Sequence, residues 1–474
     1  MTELYYLSAT ELKQQYRTGQ TKPSEVMRAY INRYHQVNEK VNAFSFTFFD
    51  DALKQAELAD LEVLSANTKP LTGLAVAIKD ETYISGQITT NGCALLTEDV
   101  ATSTDPVAKR LLENGGIVHG RTTTPEFSVS ATCWSNLWGI SRSPWNPEVT
   151  SGGSSGGSAI AVASGMASFA NGTDIGGSIR IPAAFCGLYG FKPAHGRVPE
   201  IAPYNIDPYC HHGVITRTLE DLKLGYELIK GPEWQDSHSF VPENNSAAKP
   251  LSQIKVAVST DLGFFNVEPD ILAALNETVE SLQQIGVTVD FVDLDWDEQV
   301  INTAKVHQRS HMGQLLLKHW GTPDKFNKLN SYTKWYLEKV KELKASDILE
   351  ANLHLCEMWE KISPIFQEYD VLLCPTLATT KVPADFDYSK DTIQINGIDV
   401  EPNKGWFMTY PFNTLGQCPV LAMPNGMCDN NIPSSLQIVG RPYQDNEVFT
   451  IAEQLSKTVA QSFYKTKFPS FGEL

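Results

Sequence analysis

Residues 151–182 read SGGSSGGSAIAVASGMASFANGTDIGGSIRIP and place two glycine-flanked serines, Ser154 and Ser178, within 32 residues. A serine hydroxyl beside freely approachable backbone amides is one way to set a nucleophile next to donors for a developing oxyanion. Glycine permits both the close approach and positive φ. One Gly/Ser cluster is more often a linker. Two of them, joined by a run of small apolar residues, point to chemistry.

Several readings of these loops fail. A phosphate-binding P-loop needs GxxxxGK[ST], and no lysine follows the glycines. A dinucleotide fingerprint would need GxGxxG directly after a strand. GGSSG does match the GxSxG nucleophile elbow, which requires a later acid and then a histidine. Beyond His319 there is only His354, in NLHLCEMWEKI, where its neighbours are helical and a structural role is the better reading. A serine without histidine needs another base. Lys79 closes the apolar run GLAVAIK, and Asp80 and Glu81 come only after it. A desolvated lysine can act as a base. The competing reading is a strand-end lysine snorkelling to water.

The elements that must position these groups alternate. The first 60 residues read as helices, with Ser8 and Glu11 at capping-box spacing and Pro23–Ser24 opening a second run. GLAVAIK (73–79) reads as a buried strand, 105–114 as a helix and GGIVHGRT as a turn and strand. Residues 158–169 read as a buried helix, apolar on all faces. IKVAVS (254–259), a helix over 269–286 and VTVDFVDL (287–294) form a βαβ unit with a right-handed crossover. Residues 331–367 read as mostly helical, YDVLLCPT (369–376) as another buried strand, and 379–405 as a polar, turn-rich loop near a site mouth. The expectation is one α/β domain over 1–474, built on a large, mixed, mostly parallel twisted sheet with helices on both faces. Within it lie an N-terminal helical segment (1–60), a core with the serine loops (70–230) and a second half (250–474). A polar connection over 231–250 separates the last two.

Composition narrows the function classes. Of 474 residues, 42% are hydrophobic and 20% charged, enough for a sizeable core. The formal net charge of −17 argues against nucleic acid or an anionic membrane as a direct partner. The eight cysteines form no CxxC and no zinc-finger spacing, so free thiols and a reducing, cytoplasmic setting are expected. The N-terminus shows no signal-peptide pattern, and the longest small-apolar run, 159–170, is too short to span a bilayer.

The run GGSSGGSAIAVASGMASFANGTDIGGSIRIPAAFCGLYGFKP closely resembles the signature of the amidase signature family. GLAVAIKDE, TTTPEFS (122–128), RSPWNP (142–147), PFNTLGQCPVLAMP (411–424) and SLQIVGRPYQD (435–445) resemble its other segments, so the likeness runs from about residue 5 to about residue 460. The resemblance implies a Ser–cis-Ser–Lys triad: Lys79 as base, Ser154 as relay behind a cis peptide with Gly153, and Ser178 as nucleophile. The separations of 75 and 24 residues agree with that pattern. It also implies an oxyanion hole from the amides of Ile175, Gly176, Gly177 and Ser178, with each donor contributing roughly 3 kcal/mol in comparable sites. Ser155 and Arg180 would support the site, Arg180 by holding the loop rather than reacting.

The reaction implied is hydrolysis of a carboxamide C–N bond through an acyl-enzyme on Ser178. No metal and no cofactor are implied, and the partner is a small-molecule amide; a homodimer is left open. Residues 127–136, FSVSATCWSN, correspond to the acyl side of the pocket, with Val129 or Ser130 nearest the scissile group and Ser154 alongside. Trp134 and Trp138 serve either as an apolar wall or as core. PYNIDPYCHH (203–212) reads as a solvent-facing loop. Two other functions stand beside this one. The amide-cleaving component of a glutamine-dependent tRNA amidotransferase carries the same triad, although TDIGGS and GFKPAHGR depart from the TDTGGS and KPTYGR-like runs expected there. A catalytically idle binding protein is the remaining alternative.

Overall fold

Eleven strands form the main sheet of the computed structural model, which describes residues 3–65, 68–242 and 249–471. In chain order they are β1 (Phe44–Thr47), β2 (Ala75–Lys79), β3 (Ile117–Thr122), β4 (Phe169–Thr173), β5 (Tyr189–Lys192) and β6 (His212–Thr216). The second half adds β7 (Lys255–Val258), β8 (Thr288–Phe291), β9 (Val371–Pro375), β10 (Val420–Met427) and β11 (Pro433–Gly440). Their spatial order is β1-β3-β2-β4-β6-β5-β10-β11-β9-β7-β8.

The sheet is mixed, and its parallel pairs fall into two blocks. β3, β2 and β4 run parallel on one flank, and β9, β7 and β8 on the other. Every pairing from β4 through β6, β5, β10 and β11 to β9 is antiparallel, as is the edge pair β1–β3. Parallel order therefore holds in the flanks and gives way in the middle. The expected βαβ unit accounts for one of the parallel pairs: Lys255–Val258 pairs with Thr288–Phe291 across helix Pro269–Gln284. The centre contains the β10–β11 hairpin, which closes antiparallel without a crossover.

Period-two alternation buries both faces. Along β2, Val76 and Ile78 enter one hydrophobic cluster and Ala77 another. Leu373 of β9 joins the first of these clusters, while Leu372 and Cys374 face a third. Strands buried on two sides carry continuous apolar runs, which is why GLAVAIK and VLLCP read so clearly in the sequence.

Local signals set the helix bounds. The Ser8–Glu11 capping box forms, with Glu11 N–H donating to Ser8 Oγ at 3.1 Å and Ser8 N–H to Glu11 Oε2 at 2.8 Å. The small-residue helix is Gly156–Ala163, not 158–169. Gly165, at φ 73°, ends it; Met166 N–H then bonds back to Ala161 O at 2.8 Å, and residues 169–173 turn into β4. Gly157 lies against its neighbours, since a Cβ there would meet Thr123 N at 2.4 Å. The polar loop 379–405 contains a short hairpin, Ile393–Ile395 with Ile398–Val400. Residues 243–248 of the expected 231–250 connection lie outside the described residues. The eight cysteines are free, and no helix among the described residues is long and apolar enough to cross a membrane.

Candidate active site

β2 and β4 are parallel neighbours, so their carboxyl ends deliver Lys79 and Thr173 side by side. The crevice outside such strand ends is where open α/β sheets place ligands. Lys79 is fully buried; its backbone N–H donates to Asn171 Oδ1 at 2.8 Å. Its Nζ donates to Ser154 Oγ and to Thr173 Oγ1, each at 2.6 Å. The lysine does not snorkel to water.

Ser154 sits in the loop that enters helix Gly156–Ala163, and the Gly153–Ser154 peptide is cis. Ser155 N–H donates to Ser178 O at 3.2 Å, tying the two serine loops together. Ser155 Oγ accepts from Thr173 N–H at 3.3 Å. Exposure rises along the series: 0% for Lys79, 1% for Ser154 and 8% for Ser178. Ser154 and Ser178 line one cavity, and Ser178 is the more exposed of the two. Its Oγ has no hydrogen-bond partner among the described residues, and none joins it to Ser154. Such links commonly tighten only in the complex with substrate.

Glu81 alters the expected picture. Its Oε2 lies 2.6 Å from Lys79 Nζ and accepts from Thr173 Oγ1 at 2.7 Å. Burial would raise the Glu81 carboxyl, but the Lys79 charge and the hydrogen bonds from Lys79 and Thr173 hold it below its ordinary value. The lysine therefore has three oxygen neighbours, one of them charged. On sequence alone Glu81 merely follows the lysine. The chain turns directly after the strand, with Thr82 N–H donating to Lys79 O at 3.0 Å, and this turn brings Glu81 back onto the lysine.

The loop 174–178 is braced from behind. Asp174 Oδ1 accepts from Gly177 N–H at 2.6 Å, and Asp174 Oδ2 accepts from Arg180 Nε at 2.9 Å. Arg180 also donates to Thr409 O, Gln437 Oε1 and Asn413 Oδ1 at 2.9, 2.7 and 2.6 Å. Burial alone would raise the Asp174 carboxyl; the Arg180 charge overrides it and keeps the group well below the usual carboxylate range. The Gly177 amide, expected in the oxyanion hole, is thus occupied by Asp174. The amides of Ile175, Gly176 and Ser178 have no acceptor among the described residues and remain free to donate. Gly177 is at φ 127°, and a Cβ on it would lie 1.9 Å from Thr409 Oγ1. Sequence reasoning does not single out Asp174, although an aspartate a few residues before a glycine is a familiar turn signal.

Two cavities meet at Ser178. The larger, about 310 Å³, is also lined by Ser154, Thr173 and Ile175. Its apolar wall includes Leu96, Phe127, Met312, Leu316 and Trp320, with the Phe127 and Trp320 rings stacked at 5.2 Å. Trp134 and Trp138 are not in the wall. Their indole N–H groups donate to Phe386 O and Thr90 Oγ1, each at 3.0 Å. Tyr204, Cys210 and His212 line this cavity, so 203–212 is not the solvent-facing loop expected; His212 begins the central strand β6. His354 bonds Thr303 Oγ1 at 2.7 Å on helix Ala345–Glu368, away from the serines. Val129 and Ser130 line the smaller cavity with Ser178.

Asp105, Glu200 and His212 are the described residues whose ligand atoms cluster closely enough to hold a metal ion, within 4.8 Å of one another. His212 Nε2 lies 2.8 Å from Glu200 Oε2 and 3.8 Å from Asp105 Oδ2. Burial opposes the charged imidazole, yet the two carboxylates raise it to about 9.

With this geometry in place, likeness to known proteins becomes informative. The family model for Amidase matches residues 25–449. The acylamidase of Rhodococcus erythropolis is 29% identical, over 95% of this chain and 96% of its own. The A-type subunit of the glutamyl-tRNA(Gln) amidotransferase of Sulfurihydrogenibium sp. (strain YO3AOP1) is 28% identical, over 98% of this chain and 99% of its own. A crystal structure of a bacterial aryl acylamidase of the amidase signature enzymes superposes with a TM-score of 0.90 at 26% identity, covering 99% of both chains.

Proposed function

Because the chain belongs to the amidase signature family and is an amide hydrolase, we propose that it cleaves its substrate through an acyl-enzyme on Ser178. The observation that carries this reading is the 2.6 Å contact between Lys79 Nζ and Ser154 Oγ at the wall of the cavity that exposes Ser178. Lys79, once it has lost a proton, takes one from Ser154, and Ser154 takes one from Ser178. Ser178 Oγ then attacks the amide carbon. The N–H groups of Ile175, Gly176 and Ser178 receive the oxyanion, each donor contributing roughly 3 kcal/mol. The C–N bond breaks, the relay returns the proton to the leaving amine, and water releases the acid by the reverse route.

The stacked Phe127–Trp320 wall supports an acyl amide with an aryl or alkyl group as substrate, in keeping with the acylamidase and aryl acylamidase relatives. The amidotransferase relatives supply the alternative, in which a second protein component is needed.

A fluorophosphonate probe with intact-mass detection, run beside a panel of anilides, tests both. The expected result is one adduct, lost in Ser178→Ala and strongly slowed in Lys79→Ala, with the purified chain releasing free amine unaided. Equal labelling of the Lys79→Ala protein overturns the relay. Activity that appears only with a co-purifying protein favours the amidotransferase reading.

A further inference from the structure

The smaller cavity at Ser178 holds a lysine that the relay does not use. Lys404 is 4% exposed, and among the described residues no oxygen accepts from its Nζ. Its neighbours are the faces of Phe407 and Tyr410, whose ring centroids lie 5.7 and 5.3 Å from Nζ. The nearby Glu401 is already engaged: Oε1 lies 2.6 Å from Lys305 Nζ, and Oε2 accepts from the Lys404 backbone N–H at 2.6 Å. Aromatic faces replace only part of the hydration that a buried ammonium gives up.

Nζ reaches the oxyanion loop. It lies 3.7 Å from where a Cβ on Gly176 would stand, with Gln308 Nε2 2.6 Å from the same point. Gln308 Nε2 also donates to Ile175 O at 3.1 Å. Lys404, Gln308, Gly176 and Ser178 all line a space of about 30 Å³, room for one carboxylate-sized group or about two waters. In the larger cavity the carboxylates of Glu81 and Glu200 are already paired with Lys79 and His212, and Asp99 adds a further one to the lining. The cation left without an oxygen partner is Lys404, and an anionic group is attracted there. A bulky apolar group, by contrast, fits only the larger space.

We propose that the Lys404 cavity is a carboxylate subsite, so that the preferred substrates of the amide hydrolysis proposed above carry a carboxylate on a short acyl fragment, across the scissile bond from an apolar amine. Burial, and then the charge of Lys305, hold Lys404 down to about 7, with Glu401 pulling the other way. An incoming carboxylate supplies the acceptor that this lysine lacks.

The test is a binding measurement that needs no turnover. In the Ser178→Ala protein, calorimetry compares the mono-anilide of a short dicarboxylic acid with a neutral anilide of equal length. The expected result is at least tenfold tighter binding of the carboxylate. That ratio should fall to near one when Lys404→Met, or separately Lys404→Gln, is added. A ratio near one in Ser178→Ala itself, or a ratio that survives both Lys404 changes, overturns the subsite. The relay plays no part in this readout, so its failure and that of the subsite are read separately.

Discussion

Glu81 Oε2 and Lys79 Nζ lie 2.6 Å apart, closing a carboxylate onto the buried lysine proposed as the base of the relay. The same carboxylate oxygen accepts from Thr173 Oγ1 at 2.7 Å, so the pair holds Nζ in place. Glu81→Gln keeps the size and the Thr173 contact but removes the charge. kcat should then fall, measured beside the wild type at one pH, with the unfolding midpoint as a check on the fold. An unchanged kcat would separate Glu81 from the positioning of Lys79.

The Asp174–Arg180 pair is buried on both sides, and Asp174 also takes the Gly177 amide. Asp174→Asn leaves the guanidinium without its counter-charge. Breaking a buried pair by removing one partner costs about 3–5 kcal/mol. Denaturant unfolding should show a loss of that order, with kcat falling as well. Wild-type stability would show that the other Arg180 partners suffice.

Gly177 and Gly176 should respond differently to alanine. At Gly177 the new Cβ would collide with Thr409 at a φ of 127°; at Gly176 it would meet the movable end of Gln308. A shift of the loop at Gly177 would displace the neighbouring Gly176 and Ser178 amides, the proposed oxyanion donors, and losing one such donor costs roughly 10²–10³ in rate. Gly177→Ala should therefore lose at least about 100-fold in kcat, and Gly176→Ala clearly less. Equal losses would count against the loop geometry.

His212 couples stability to pH. Its imidazole is held at about 9, above the ordinary 6.5, by Glu200 and Asp105 against the cost of burial. A group raised in the folded state stabilises fully below its unfolded value and loses that contribution as pH climbs through its folded one. Stability should thus decline between about pH 6.5 and 9, by up to about 3 kcal/mol from this group. His212→Gln should flatten that decline in unfolding midpoints measured at each pH. An unaltered slope would place the origin elsewhere.

Much of the site is legible because it sits in short, contiguous motifs. Lys79 ends a strand with continuous apolar character, and Ser154 and Ser178 sit in loops whose glycines have a backbone reason. The helix expected over 158–169 lies too far along the chain, because the small apolar residues continue past Gly165 into β4, and composition does not register the turn. His212 reads as solvent-facing because its neighbours are polar; pairing with β4 and β5 in mid-sheet buries it.

What the chain alone determined is the candidate set, Lys79, Ser154 and Ser178, since a strand-end lysine and two glycine-flanked serines are marked by residue type within a few positions of each. Only the tertiary structure decided what surrounds them. Phe127 meets Trp320, Thr409 Oγ1 donates to Gly176 O, and Lys404 comes up beside Gly176, from segments as much as 233 residues apart. A tryptophan or lysine of a wall has the same local pattern as one of the core. Its role is set by which distant loop the sheet order brings opposite it.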